Sequence, residues 1–221
     1  VTAWFKDLQP QFGCIIAVAG NHDHIIFEMR QERAWSRKPS VGTWLNIPLG
    51  QTATCRRECF QRFCASCNYL EDQSMPLSVA HGSRQLVVYG SPWQPAHCAK
   101  RDAFTLPRGA PLRECWQAIP INVDVLIVHG PPFGCRDKVV GGTSVGCIDL
   151  MEEFKHRLRP RVVLFGHIHE AYGHTVHSHT LFVNASSKAK GDYRHGVINQ
   201  PIVVDLPSDP LFPAIVVSPS L

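Results

Sequence analysis

The sequence predicts an α/β domain with a largely parallel or mixed sheet, and three observations carry that prediction. Six short, mostly β-branched runs are bounded by Gly, Pro, Asn or His, as strands buried on both faces are. Apolar patterns of helical period lie between them. Three of the runs end in a small polar cluster, at the carboxyl edge where open α/β sheets bind ligands.

In chain order, Thr2 to Leu8 reads as the tail of a helix, and Cys14 to Ala19 (CIIAVA) as a strand running into Gly20-Asn21-His22-Asp23. Glu28 to Thr54 has little periodicity and is long for a connection, so a functional loop and a locally disordered insert both stay open. Arg56 to Cys64 and Leu112 to Ala118 are short helices, and Gln85 to Tyr89 is a strand. Val123 to Val128 is a strand leading into His129-Gly130-Pro131-Pro132. The firmest helix is Val145 to Leu158, where Val145, Ile148, Leu150, Met151, Phe154 and Leu158 share one broad face and Pro160 follows the end. Arg161 to Phe165 is a strand leading into Gly166-His167-Ile168-His169, and Thr180 to Asn184 and Ile202 to Leu206 complete the set. His174, His177 and His179 read as a solvated hairpin.

With 221 residues the chain can bury a sizeable core, and one domain is the simplest count. Apolar residues make up 44% and charged ones 18%, with no run near the roughly 18 consecutive apolar residues of a membrane helix. The opening VTAWFKDLQPQ lacks the layout of a secretory signal, so a cytoplasmic setting is expected, although the start at Val1 leaves an upstream segment open. The net charge of +4 is spread out, so neither a membrane surface nor nucleic acid is an expected partner. Nine cysteines at irregular spacing read as reduced thiols. Cys55, Cys59, Cys64 and Cys67 fall within one helical stretch, unlike the two separated couples of a structural zinc site.

A single histidine at a strand end is more often a hydrogen-bonded loop residue than a ligand. Three clusters, each behind a strand and beside a glycine, reverse those odds. His129, His167 and His169 offer imidazole nitrogens and Asn21 a carbonyl oxygen, a mixed set suited to Mn, Fe or Zn rather than Ca. Gly20, Gly130 and Gly166 sit where a missing side chain leaves room for a phosphate. Trp93 and Phe133 either wall a nucleotide base or simply pack.

The series GNHD, HGPP and GHIH, with YGSPWQP, VHGPPFG, FGHIHEAYG, VNAS and PIVVDLP around it, resembles the calcineurin-like metallophosphoesterase superfamily, and more narrowly its small metallophosphoesterase-domain branch. The resemblance implies a two-sheet sandwich flanked by helices and hydrolysis of phosphoric esters, phosphodiesters such as cyclic nucleotides among them. It implies two divalent ions (Mn, Fe or Zn) sharing a bridging hydroxide. Asn21, His129 and His167 would bind one ion and His169 the other, while His22 would protonate the leaving oxygen and Asp23 would orient its imidazole. The family's first two blocks, Asp-x-His and Gly-Asp, have no counterpart in the 19 residues before Gly20. The expectation is one domain over residues 1–221 that lacks its opening strands, with a variable insert near 28–66. Such a chain would hold one ion or none and turn over poorly. The rival expectation is a catalytically impaired phosphate- or nucleotide-binding regulator.

Overall fold

Apolar runs without polar alternation need a sheet covered on both faces, and the fold supplies one. The computed structural model describes residues 1–35, 53–78, 84–96, 102–188 and 198–217. From the amino end, the elements are α1 (Thr2–Leu8), β1 (Ile16–Ala17), α2 (His24–Trp35), α3 (Ala53–Cys64), β2 (Asn68–Tyr69) and β3 (Gln73–Leu77). There follow β4 (Leu86–Ser91), β5 (Gln94–Pro95), β6 (Thr105–Leu106), α4 (Ala110–Gln117), β7 (Val125–Val128) and α5 (Ile148–His156). The last are β8 (Val162–Phe165), β9 (Gly173–His177), β10 (Thr180–Asn184), β11 (Val203–Asp205) and β12 (Ile215–Val217).

The principal sheet has six strands in the order β3-β4-β7-β8-β10-β9. Its four central strands are parallel, and β3 and β9 pair antiparallel at the edges. Side chains alternate between two cores along each central strand. Leu126, Val128, Val163, Phe165 and Phe182 face α4 and α5, packing with Leu112, Trp116 and Leu150. Val125, Val162, Leu181 and Val183 face the other way, toward the small pairs β1–β2 and β11–β12 through Ile16, Val18, Leu70, Val204 and Val216. The layers approach closely: a Cβ on Gly90 would stand 2.3 Å from Leu70 Cβ and 2.9 Å from Val18 Cγ2.

The helical layer is pinned by specific bonds. Trp116 Nε1 donates to Cys147 Sγ at 3.3 Å, and the same sulfur accepts Leu150 N–H at the start of α5. Arg157 donates to the carbonyls of Trp116 and Ile119 while pairing with Glu153, which clips the end of α5 to the end of α4.

The α/β class holds, with the expected strands present but mostly shorter. The first run is reduced to Ile16–Ala17 and pairs with β2 in the second layer instead of entering the main sheet. The reading of Glu28 onward as non-periodic is corrected in part: α2 runs to Trp35, and the stretch 36–52 lies outside the described residues. The hairpin of His174, His177 and His179 is an edge strand plus its turn, β9 pairing along β10 with Ser178 at φ 53°.

Candidate metal centre

Parallel strands end on one edge, and that edge gathers the predicted residues. β7 delivers His129, β8 delivers Gly166 and His167, and Gly166 N donates to the His129 carbonyl at 3.0 Å, tying the two strand ends together. The third cluster reaches the edge from the second layer, on the turn between β1 and α2. Asp23 N–H donates to the Gly20 carbonyl at 3.0 Å and Asp23 Oδ2 accepts Gly20 N–H at 2.7 Å, closing that turn. The Asn21 carbonyl accepts Ala103 N–H at 2.9 Å, so the turn is also anchored beside β6.

Three donor atoms converge. His129 Nε2 lies 2.8 Å from Asn21 Oδ1 and 3.2 Å from His167 Nδ1. Two atoms each about 2.1 Å from one ion stand about 3.0 Å apart in an octahedron and about 3.4 Å in a tetrahedron, so the spacing fits a shared cation. Asn21 is buried, and its Nδ2 donates to His22 Nε2 at 3.5 Å, which turns Oδ1 toward His129. Burial, followed by the charges of His167, His22 and His169, pushes His129 down to about 3, so it is neutral with a free ring lone pair at physiological pH. His22 is exposed beside the trio. His169 opens a short 3₁₀ turn, near enough for its charge to act on His129. Among the described residues no three His, Cys, Asp or Glu side chains form a metal cluster. The convergence is two imidazoles and one carboxamide oxygen.

The structure separates residues that the sequence treats alike. A Cβ on Gly20 would fall 2.4 Å from both Nδ1 and Cε1 of His129, so the imidazole packs flat against a position that only glycine leaves open. At Gly130 and Gly166 the nearest atoms to an added Cβ are at 3.5 Å, an ordinary contact. Asp23 makes no hydrogen bond to His22; its carboxylate shapes the turn, not the imidazole. Trp93 is a core residue, not the wall of a base pocket: Nε1 donates to Asp72 Oδ2 at 2.8 Å, Phe104 meets it edge-on and Arg30 lies 4.9 Å over its ring. Phe133 stays on the surface.

Backbone at the site is strained where the sequence carries no sign of it. His167 has φ 70°, and Ile168 N–H donates to the Gly166 carbonyl at 2.8 Å, a γ-turn of positive φ with a candidate ligand at its centre. A concavity of about 480 Å³ at the opposite, amino edge, lined by Arg84, Asp124, Arg161 and Phe212, contains none of these residues. The convergence of donors at the carboxyl edge is the better guide to chemistry.

A mixed sheet between helices and a second layer of strands, with histidines at the carboxyl edge, defines a metallophosphoesterase-type domain. The chain belongs to the calcineurin-like phosphoesterase family, whose profile matches residues 1–171. It is 41% identical over 149 residues to the human metallophosphoesterase domain-containing protein 1, covering 67% of this chain and 42% of that protein. A UPF0046 protein of Caenorhabditis elegans is 33% identical over 199 residues, covering 88% of this chain and 62% of its own length. The match to the human relative thus spans less than half of that protein. Among the described residues no helix is long and apolar enough to cross a membrane.

Proposed function

We propose that the carboxyl edge is a centre for metal-dependent hydrolysis of phosphoric esters, with phosphodiesters as the substrate class. The observation that carries this reading is the approach of Asn21 Oδ1, His129 Nε2 and His167 Nδ1 within 2.8 and 3.2 Å from three separate loops. These residues would hold one divalent ion (Mn, Fe or Zn), and His169 would serve a second ion only if one were bound beside it. A bound ion supplies Lewis-acid polarisation of the phosphoryl oxygens. The chain's own contributions are distinct. Asn21 offers its oxygen to the ion while its amide N–H holds His22 Nε2. His22, exposed at the mouth, is placed to give a proton to the leaving oxygen. Gly20 keeps the His129 ring seated.

With no third His or carboxylate in the trio, one weakly held ion and slow turnover are expected of this chain. The same observation favours a second reading, a regulator that binds phosphate or nucleotide without hydrolysing it. Hydrolysis of an aryl phosphodiester with and without manganese, in the wild type and in His22→Asn, decides between them. Manganese-dependent turnover that falls about 100-fold in the variant supports the hydrolase. Saturable manganese and phosphate binding without turnover supports the regulator, and absence of both overturns the site.

A further inference from the structure

The geometry points to Asn184 as the positioning residue that holds the two histidine-bearing loops in register, an inference that rests on the reading of the metal centre above. Asn184 ends β10, the strand beside β8, and is wholly buried. Its Nδ2 donates to the Ile168 carbonyl at 2.9 Å and to the Arg136 carbonyl at 3.0 Å. Its Oδ1 accepts Ser186 N–H at 3.1 Å and Ser186 Oγ–H at 2.7 Å. Every hydrogen-bonding capacity of the carboxamide is therefore used.

The two carbonyls are the informative partners. Ile168 lies between His167 and His169, and Arg136 follows the His129-Gly130-Pro131-Pro132 segment. One amide group thus spans the loops that carry His129 and His167, whose nitrogens must stay 3.2 Å apart. His167 is also held in a left-handed conformation, which persists only where the surroundings over-determine it. Ile168 is fixed at both ends, its N–H on the Gly166 carbonyl and its carbonyl on Asn184. The Arg136 side is braced in turn, with Nε on the His174 carbonyl at 2.8 Å and the guanidinium over Gly173. Two carbonyl partners require a group with two hydrogens. Asp has the same shape and offers only acceptors there, and Ser is too short to span both.

The test compares Asn184→Asp with Thr180→Val, which removes a buried hydrogen bond to the Pro160 carbonyl at the far end of the same strand. Thr180→Val reports the cost of damage to β10 without touching the histidine loops. The first readout is the imidazole nitrogen resonances of His129 and His167 in the metal-free chain. The second is cobalt affinity by calorimetry. Asn184→Asp is expected to move both resonances and to weaken cobalt binding roughly 10- to 100-fold, as loss of an outer partner of a ligand does. Thr180→Val, at comparable thermal stability, is expected to change neither. Should Asn184→Asp fail to fold, Ser186→Ala removes the hydroxyl that donates to Asn184 Oδ1 and is expected to shift the same resonances by less. Unchanged imidazole resonances in the Asn184 or Ser186 variant, or equal movement in Thr180→Val, overturns the inference. The resonance readout decides the role of Asn184 even if the wild type binds no cobalt, a result that would instead overturn the metal reading.

Discussion

Gly20→Ala is the most informative single change, because the three atoms nearest its added carbon all belong to one side chain, His129. The new Cβ would stand 2.4 Å from Nδ1 and Cε1 of His129. Ordinary contact requires about 3.5 Å, so the ring must move by about 1 Å. Metal–ligand distances tolerate only about 0.2 Å, so a displacement of that size removes His129 from the ligand set. Cobalt affinity is expected to fall more than about 100-fold, beyond the range for loss of an outer partner. Overpacking of this kind also costs about 1–3 kcal/mol of stability. Gly166→Ala is the control, since its Cβ would meet Ser186 Oγ at an ordinary 3.5 Å. Calorimetric cobalt titration and urea unfolding of the three chains measure both effects. If Gly20→Ala binds cobalt as tightly as wild type and unfolds at the same urea concentration, the packing of His129 against Gly20 is refuted.

Other expectations follow from the same bonds. His129 is neutral in the fold down to about pH 3 but accepts a proton in the unfolded chain below pH 6.5, so the unfolded state binds more protons between those values. On account of His129 the metal-free protein should therefore lose up to about 1.4 kcal/mol per pH unit on acidification through that window, and this residue contributes no loss above it. Urea unfolding at pH 7 and pH 5 should show the loss in wild type and a smaller one in His129→Gln. Asp124 is buried, with Oδ1 on Arg84 and Oδ2 on Val87 N–H, so Asp124→Ala should cost about 2 kcal/mol in the same assay and leave cobalt affinity unchanged. Burial raises the thiol of Cys135 to about 12 and that of Cys147 above its ordinary value. Iodoacetamide should therefore leave both unmodified in the native protein while labelling the exposed Cys64, as peptide mass spectrometry would show.

What could be read from the sequence follows the physics of burial. Thr180–Asn184 is the strand whose bounds match the reading, because it is buried along its whole length and ends at a polar residue. β3 escapes notice: it carries Pro76 and lies on a sheet edge, where a missing N–H is tolerated and little apolar patterning is needed. β9 escapes for a related reason, its exposed histidines facing solvent. The run CIIAVA promises a central strand, yet its strand pairing is confined to Ile16 and Ala17, opposite β2 in the second layer. His129 and His167 can be read because β7 and β8, paired in parallel, end on one edge and bring their next residues together, whereas Asn21 joins them from the second layer. The left-handed turn at His167, the turn-closing role of Asp23 and the double bridge of Asn184 depend on which distant segment lies alongside, information that local patterning does not hold.

Whether Asn21, His129 and His167 hold a divalent ion is decided by a cobalt titration of the metal-free chain followed by visible absorption. Saturable binding of one ion per chain is expected, with d–d bands that disappear in His129→Ala and in His167→Ala. No saturable binding, or binding that neither substitution weakens, would contradict it.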